Sequence, residues 1–388
     1  MASRLAQSVI TKTNLTGDEA WADRFGVLSL AGHFEFEGSL TLFNLTLDEA
    51  PFRIPTIQIR TLDYSMLTSS PDERLLFAKN LWSGFQEEGF VKLIHHGFSA
   101  GDMKQLLEWN RKFFALEEDE KKATANVPGP SPQRGWSGLG IEKTGTLNEL
   151  GKTNVTRIAH GELEDLKEHF DIGMVTDTEF PNIWPSDNSL PGFRLWLEDY
   201  FDKSQQIALE LMRALEIAMG MSSQVLTDRC RGAASELRLN HYPATPIGKL
   251  RGGKANRIWP HTDFGIITLL FQDSGGGLEV EDKARLGTFV PVPRDDEAEL
   301  IINIGDTLER WTNGRLKAGL HRVVLPDGGR ECDAEQVLPP RYSVAFFLKA
   351  SRDASVGPLS HFIAEDQPAQ YEDMTALAYQ RSRTNVVY

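Results

Sequence analysis

The sequence predicts an α+β protein with helices in its N-terminal half and a sandwich or barrel of short strands in its C-terminal half. Between residues 70 and 220, apolar residues recur at helical spacing. After Gly220 their period changes from about 3.6 to about 2. The segments with the shorter period are brief and are separated by Gly, Pro, Asn and Asp, which is typical of antiparallel sandwiches and barrels.

The N-terminal half begins with a strand and a helix. Residues 54–62 alternate apolar and polar positions as a strand does. The segment "SPDERLLFAKNLWSGFQEEG" starts with Ser70-Pro71-Asp72-Glu73, a helix start signal, and continues with apolar residues at helical spacing. "FVKLIHHG" then predicts a strand that ends at Gly97.

A second amphipathic helix is predicted for "SAGDMKQLLEWNRKFFALEEDEKK", and the Pro- and Gly-rich "NVPGPSPQRGWSGLG" after it is predicted to be loop. We interpret "RGWSGLGIEK" and "HFDIG" as loops that cover a pocket. The segment "PGFRLWLEDYFDKSQQIALELMRALEIAMG" predicts a long helix closed by Gly220.

The strand-rich part follows this long helix. Its predicted strands are "ELRLNHYP", "IITLLFQD", "LEVEDK", "TFVPVP", "ELIINIG", "RVVLP" and "RYSVAFFL". The chain therefore divides into an N-terminal extension of unclear structure (1–53), a region of helices and strands (54–180), the long helix (181–230), a strand-rich core (231–350) and a C-terminal helical segment (351–388).

Composition excludes several classes of protein. Acidic residues outnumber basic ones, 55 to 41, which argues against a nucleic-acid partner because such binding depends on basic patches. No apolar run of about 18 residues exists, so no membrane span is expected. The N-terminus lacks the apolar core of a signal peptide, and the two cysteines, Cys230 and Cys332, suit a reducing compartment. We therefore expect a cytoplasmic protein without a cysteine-rich zinc site.

The segment "WPHTDFGIITLLFQD" contains the first pair of candidate metal ligands. Side chains at positions i and i+2 of a strand project from the same face, so His261 and Asp263 are able to reach one point. Alone, they are better explained as an ordinary polar pair at a strand end. His321, at the start of the later strand "RVVLP", is the best third ligand. Two imidazoles and one carboxylate are the facial set of non-heme Fe(II) oxygenases.

The segment "RYSVAFF" indicates a second polar site. Arg341 and Ser343 share one face of an otherwise apolar strand. A guanidinium there is costly unless it meets an anion, and its planar fork matches a carboxylate. The sequence therefore predicts a carboxylate-binding site close to the metal.

Together these residues resemble the Fe(II)/2-oxoglutarate-dependent dioxygenases, specifically the isopenicillin N synthase-like family. "HTD", His321 and "RYS" occur in the order of that family's H-x-D…H…R-x-S signature, and "LRLNHYP", "IPTIQI", "FQEEGFVKLIHHG" and "FFAL" are similar too. The resemblance covers residues 54–350. It implies a distorted double-stranded β-helix (jelly roll) core flanked by helices.

The resemblance also implies roles for single residues. His261, Asp263 and His321 would bind Fe(II). Arg341 and Ser343 would hold the distal carboxylate of 2-oxoglutarate, with Asn240 and Tyr242 beside it. Dioxygen would be the second cosubstrate, and Phe347 would line the substrate pocket.

The implied activity is hydrogen abstraction from a small-molecule substrate, leading to hydroxylation, desaturation or ring rearrangement, in secondary metabolism. Arg134, Trp136, Phe170 and Asp171 lie in the predicted covering loops, where contact with substrate and simple loop packing are both open. The residues 1–53 would cover the pocket or mediate dimerisation. The oligomeric state stays open, a homodimer included.

Two other interpretations remain. An oxidase of the isopenicillin N synthase kind would use the same iron site without 2-oxoglutarate, and Arg341 and Ser343 would then bind the substrate's own carboxylate. A β-barrel binding protein with a vestigial metal site would have no activity. Asn240 with Tyr242 favours a 2-oxoglutarate enzyme, and formation of succinate separates the three.

Overall fold

The computed structural model describes residues 58–127, 133–150, 163–232, 234–329 and 331–388. The described residues belong to one compact unit, Ile54–Tyr388. The predictions made for residues 1–53 lie outside the described part of the chain, as do residues 54–57 of the first predicted strand.

The chain forms short strands and mostly longer helices. The strands are β1 (Thr61–Asp63), β2 (Phe90–Ile94), β3 (Gly135–Ser137), β4 (Glu164–Asp165), β5 (Glu168–Gly173), β6 (Glu236–Tyr242), β7 (Thr245–Pro246), β8 (Ala255–Asn256), β9 (Ile258–His261), β10 (Ile267–Gln272), β11 (Leu278–Glu281), β12 (Phe289–Pro291), β13 (Leu300–Ile304), β14 (His321–Val323), β15 (Val337–Leu338) and β16 (Arg341–Leu348). The helices are α1 (Pro71–Glu87), α2 (Ala100–Phe114), α3 (Glu118–Ala123), α4 (Phe193–Ala218), α5 (Ile247–Arg251), α6 (Asp306–Trp311) and α7 (Ala376–Val387).

The predicted helices of the N-terminal half are confirmed, together with the start signal of the first, except that the second predicted helix is two, α2 and α3, separated at residues 115–117. Ser70 caps α1 through a capping box with Glu73, and Pro71 occupies the first helical position. Ser99 and Asp102 form the same arrangement at α2. The long helix α4 ends at Ala218, and Gly220 after it has a positive φ of 63°. The chain can therefore turn there with little strain.

Two main sheets face each other across a cavity. The larger has eight strands in the order β1-β2-β13-β10-β16-β6-β5-β3, and the smaller has the order β12-β11-β14-β9. Buried residues of both sheets, such as Tyr242 and Ile301 from one and Val280 and Val323 from the other, form one apolar cluster. Helices α1, α2 and α4 cover the outer face of the larger sheet, where the main core lies. This is the α+β arrangement that the sequence predicts.

One prediction about a covering loop is wrong. "HFDIG" lies in β5, where all six residues of the strand are buried. The sequence does not show the apolar–polar alternation of a strand here, because a charged residue of the strand is buried. Asp171 is opposite Arg238 of β6 in the register and binds its guanidinium at 2.7 and 2.8 Å. Part of "RGWSGLGIEK" is likewise a strand, β3, which pairs with β5, but Glu142 near the end of this segment lies outside the strand and lines the cavity, as predicted for the segment.

The C-terminal helix is attached to the middle of the chain through one buried carboxylate. Asp306 is fully buried and accepts hydrogen bonds from the Tyr379 hydroxyl at 2.6 Å, from Arg383 at 3.2 Å and from the Thr262 hydroxyl at 2.8 Å. Its own backbone N–H donates to the carbonyl of Asp263. Helix α7 is thereby connected to the loop after β9.

None of the helices in the described ranges is long and apolar enough to cross a membrane.

The Tyr379 hydroxyl should contribute measurably to stability. Tyr379→Phe leaves a buried carboxylate with one donor fewer, and we expect the free energy of unfolding to fall by about 1–3 kcal/mol. Urea denaturation at neutral pH measures the loss. Tyr64→Phe is the control, because the Tyr64 hydroxyl makes no hydrogen bond within the described part of the chain. An equal effect of both substitutions would contradict this role of Asp306.

Candidate metal centre

Three side chains meet at one end of the cavity. His261 ends β9 and His321 begins β14, and the two residues are partners in the antiparallel register. Their ring centroids are 4.3 Å apart. Asp263 lies two residues beyond His261, and one ligand atom from each of the three residues lies within 4.8 Å of the others. The structure thus brings together the three residues that the sequence nominates.

Backbone carbonyls orient both imidazoles. The Nδ1 atom of His261 is 2.9 Å from the carbonyl oxygen of Trp259, and the Nδ1 atom of His321 is 2.9 Å from that of Gly319. Since a carbonyl only accepts, each Nδ1 carries the proton and each Nε2 keeps its lone pair. This is the tautomer that a metal ligand requires.

The carboxylate of Asp263 is also oriented. Its Oδ2 accepts hydrogen bonds from the Thr268 hydroxyl at 2.6 Å and the Asn303 amide at 2.7 Å. Its Oδ1 lies 3.9 Å from Nε2 of His261. One oxygen is therefore occupied by neighbours, and the other faces the imidazoles.

The protonation states suit a cation. Burial and the neighbouring His321 lower the pKa of His261 to about 4, so that its imidazole is neutral at neutral pH. Burial opposes ionisation of Asp263, but the His321 and His261 rings and the hydrogen bonds from Thr268 and Asn303 hold its pKa below the ordinary value. Neutral imidazoles beside a carboxylate are the form that binds a divalent metal ion.

An anion site lies in the same cavity. Arg341 is 1% exposed, and its only polar partners among the described residues are neutral: the Ser343 hydroxyl at 3.3 Å and the Gln272 amide oxygen at 2.7 Å. Its Nε has no partner in this part of the chain, and neither has Oδ1 of Asn240. A buried guanidinium without a carboxylate partner fits an incoming anion.

A second arginine at this place carries no signal in the sequence. Arg257 is buried, its guanidinium lies 5.9 Å from the ring of Tyr242, and its Nε and Nη1 have no partner among the described residues. Burial and the nearby Arg341 lower its pKa to about 10. No motif marks this residue, because Arg257, between β8 and β9, is distant from Arg341 along the chain and only folding makes them neighbours.

The other predicted site residues are divided. Asn240, Tyr242 and Phe347 line the cavity. Arg134, Trp136 and Phe170 are not among its lining residues. Their side chains are used elsewhere: Arg134 pairs with Asp177 and Glu236, the Trp136 indole donates to Glu168, and Phe170 stacks on Phe113 at 4.2 Å. Phe170 does not reach the cavity because side chains alternate along β5. This alternation turns Phe170 toward the helices and turns Asp171 the other way.

The cavity has a charged wall that the sequence does not reveal. It is formed by Glu142, Lys167, Arg238 and Tyr388, which all line the cavity. Strand alternation is the one signal that could have found Arg238, since it precedes Asn240 by two residues on β6. Glu142 lies in "RGWSGLGIEK", the segment predicted to cover a pocket, whereas Lys167 and Tyr388 come from separate segments without any shared pattern.

A buried carboxyl group supports the strand that carries His261. Oδ2 of Asp165 accepts hydrogen bonds from the Thr144 amide at 2.8 Å and hydroxyl at 2.7 Å, and the same hydroxyl accepts from the Trp259 amide at 3.2 Å. Burial raises the pKa of Asp165 to about 7. Its acid form is therefore the one that the fold favours.

Comparisons with known proteins show which family the chain resembles. Residues 234–350 match a family profile described as the 2OG-Fe(II) oxygenase superfamily, and residues 54–187 match one described as the N-terminal region of non-haem dioxygenase in morphine synthesis. Over 333 residues the chain is 52% identical to the 2-oxoglutarate-dependent dioxygenase ecdK of Aspergillus rugulosus, a match that covers 86% of this chain and 100% of the relative.

Two further relatives and one solved structure are similar. The 2-oxoglutarate-dependent dioxygenase imqE of Aspergillus flavus is 44% identical, with 85% of this chain and 95% of the relative covered. The proline hydroxylase buaE of Petromyces alliaceus is 41% identical, with 86% and 100% covered. The crystal structure of a full-length Neurospora crassa protein in complex with alpha-KG superposes with a TM-score of 0.74 at 31% identity, covering 85% of this chain and 96% of that one. The predicted jelly-roll core with flanking helices is thereby confirmed.

Asp165 predicts a pH-dependent loss of stability. Because its pKa is higher in the folded than in the unfolded protein, the folded state binds more protons between about pH 4 and pH 7, and stability falls as the pH rises through that window. Asp165→Asn removes this dependence. We expect the variant to gain about 1–3 kcal/mol relative to wild type between pH 5 and pH 8. Urea denaturation at both pH values measures it, and a constant difference would contradict the prediction.

Proposed function

The chain belongs to the 2OG-Fe(II) oxygenase superfamily, and we propose that His261, Asp263 and His321 hold its iron while Arg341 and Ser343 bind 2-oxoglutarate. The protein is a 2-oxoglutarate-dependent dioxygenase that uses Fe(II), 2-oxoglutarate and dioxygen. The observation that carries the proposal is the presence, in one cavity, of three oriented metal-ligating side chains and a buried guanidinium without a carboxylate partner.

The metal-binding residues fit Fe(II) through their donor set. Two neutral imidazoles and a single carboxylate satisfy only part of an octahedral shell, which is the requirement for an iron that must also bind cosubstrates. The Thr268 and Asn303 hydrogen bonds hold Asp263 in place, and the Trp259 and Gly319 carbonyls hold the rings. These contacts fix the ligands before the metal arrives, so that little ordering is left for binding.

The anion site fits a dicarboxylate. The N–H groups of Arg341 match the two oxygens of a carboxylate, and the Ser343 hydroxyl lies beside them. Asn240 faces Ser343 across the β6–β16 register, and Tyr242 faces Arg341. The guanidinium of Arg257, 5.9 Å from the ring of Tyr242, would add to the attraction for the anion. We assign the distal carboxylate of 2-oxoglutarate to this group of residues.

The mechanism divides the work between the bound groups and the chain. When bound, iron and 2-oxoglutarate supply the activation of dioxygen that oxidises a C–H bond. The chain contributes orientation: the His261 imidazole stays neutral at neutral pH, and Asp263 stays ionised. Apolar side chains of both sheets, including Leu270, Leu278 and Val323, line the cavity and exclude water from the reacting groups.

We propose hydroxylation of a small molecule as the reaction, with desaturation and ring rearrangement as variants of the same hydrogen abstraction. The relative named a proline hydroxylase supports both the reaction and a substrate of amino-acid size. The profile that names morphine synthesis agrees with a role in secondary metabolism.

The two other interpretations have less support. Relatives named for 2-oxoglutarate and a neighbour solved with alpha-KG argue against an oxidase that works without this cosubstrate. A vestigial site would be expected to lose at least one oriented ligand, yet each of the three proposed ligands keeps its hydrogen-bonded support.

Removal of His261 should abolish iron-dependent turnover. His261→Ala leaves two ligands, and we expect bound iron to fall by at least about tenfold and succinate formation to be lost. Metal analysis and succinate assays under oxygen measure both effects, and circular dichroism monitors the fold. His361→Ala, an exposed histidine outside the cavity, is the control. Full activity of His261→Ala would refute the metal assignment.

Removal of the Arg341 charge should weaken the binding of 2-oxoglutarate without loss of the metal. For Arg341→Gln we expect the Kd for 2-oxoglutarate to rise by about 100-fold, since a charge-assisted pair is lost from a buried site. Calorimetric titration of Mn(II)-loaded protein gives the Kd. Arg194→Gln, on the surface of α4, is the matched control. If the wild type bound no 2-oxoglutarate, or bound it as tightly as Arg341→Gln does, the assignment would be wrong.

A further inference from the structure

One wall of the cavity carries charges that neither the metal nor 2-oxoglutarate requires. The carboxylate of Glu142 lies at its centre and accepts hydrogen bonds from Arg238 at 3.0 Å, from the Tyr388 hydroxyl at 3.5 Å and from the ammonium of Lys167. Glu142 is 8% exposed and Lys167 is 3% exposed. These two opposite charges therefore lie side by side in the interior and on the cavity surface.

Stability does not explain this charged wall. Several kcal/mol are needed to desolvate each buried ion, and apolar residues of similar volume usually replace a buried ion pair without loss of stability. Arg238 is already neutralised from behind by Asp171, with which it forms two hydrogen bonds. The Glu142–Lys167 pair in front of it is thus an additional cost. Buried charges that persist on the wall of a binding cavity indicate a ligand with matching charges.

The unused bonding capacity of the pair shows which charges match. Lys167 has three N–H donors, and Glu142 is its only hydrogen-bond partner among the described residues. Two donors can therefore bind a carboxylate of a ligand. Glu142 already accepts from Arg238, Lys167 and the Tyr388 hydroxyl, which leaves about one of the roughly four acceptor positions of its carboxylate for a ligand ammonium. A ligand with only a negative charge would be repelled by the Glu142 carboxylate. A ligand with only a positive charge would be repelled by Lys167 and Arg238.

The charged wall lies near both the metal cluster and apolar side chains. Lys167 lines the same cavity as His261 and Asp263. The Arg238 guanidinium lies 5.7 Å from the ring of Phe347. Phe264, which directly follows Asp263, and Leu147 line the same cavity. A molecule held at Glu142 and Lys167 would thus have apolar walls for the rest of its body.

We propose that the substrate is a free α-amino acid with an apolar side chain, whose ammonium binds Glu142, whose carboxylate binds Lys167, and whose side chain presents the C–H bond that is oxidised. This inference rests on the proposed function of the metal and 2-oxoglutarate sites. In the reaction, the C–H bond, 2-oxoglutarate and dioxygen give the alcohol, succinate and carbon dioxide. One oxygen atom of dioxygen enters the alcohol and the other enters succinate. The C–H bond and the keto acid each supply two electrons.

Matched analogues test the recognition of both charges on the wild-type protein. Under anaerobic conditions, calorimetry on the Fe(II)- and 2-oxoglutarate-loaded protein would screen the twenty proteinogenic L-amino acids. For L-leucine, 4-methylpentanoate lacks the ammonium, and L-leucinamide lacks the carboxylate. We expect at least one apolar amino acid to bind, and each of its two analogues to bind at least about tenfold more weakly. The amide also distinguishes a free amino acid from one attached to a carrier.

Charge-removing variants locate the contacts. Glu142→Gln should weaken binding of the amino acid at least about tenfold but leave the affinity for the analogue without an ammonium unchanged. Lys167→Met should weaken binding of the amino acid by a similar factor but leave the affinity for the amide unchanged. The surface pair Glu108 and Lys112, 2.9 Å apart, supplies the controls Glu108→Gln and Lys112→Met. The Kd for 2-oxoglutarate serves as the check that each variant is folded.

Failure of this inference is distinguishable from failure of the proposed function. If the wild type binds 2-oxoglutarate and iron but none of the twenty amino acids, the substrate assignment is overturned and the cofactor sites stand. Equal affinity for an amino acid and both analogues would overturn it as well. If 2-oxoglutarate itself does not bind, the proposed function falls first. Substrate-dependent succinate above the background, with an oxygen atom added to the amino acid by mass spectrometry, would support both.

Discussion

The proposed metal site depends on the register between two short strands, β9 and β14. Because β9 and β14 pair so that His261 is opposite His321, the imidazoles project to the same side of the smaller sheet at a distance that one ion can bridge. A shift by a single residue would send one ring to the opposite face. The register is irregular between His321 and Val323, so the position of His321 is set by local geometry rather than by a long ladder.

The interior of the larger sheet is unusual because its polar residues face inward. On β6, Arg238, Asn240 and Tyr242 line the cavity, while Leu237 and Leu239 pack against the helices. One face of this strand therefore packs against the apolar core, and the other face lines the cavity. Groups on the cavity side must be paired with each other or with ligands, because water is scarce there. This requirement accounts for the Arg238–Asp171 pair and for the atoms of Arg341 that are left for an anion.

The C-terminus takes part in the same structure. Asp306 connects α7 with the loop after β9, and its amide binds the carbonyl of the metal-site residue Asp263. The last residues, Val387 and Tyr388, line the cavity beside Glu142. The end of the chain thus completes the charged wall, and its position is coupled through one buried carboxylate to the loop that carries a proposed metal ligand.

Patterns along the chain were sufficient to predict the α+β class, the capped helices α1 and α2, the three residues that meet at the candidate metal centre and the strand that carries Arg341. These features are local or follow the short periods of helices and strands, so that each is visible within a few residues. Packing in three dimensions was needed to show that "HFDIG" is a buried strand, that Phe170 belongs to the core, that Glu142 and Lys167 line the cavity, and that Arg257 lies beside Tyr242. The charged residues among them come from separate segments. Their burial is tolerated because folding places opposite charges or neutral polar partners beside them. No pattern along the chain records such a meeting.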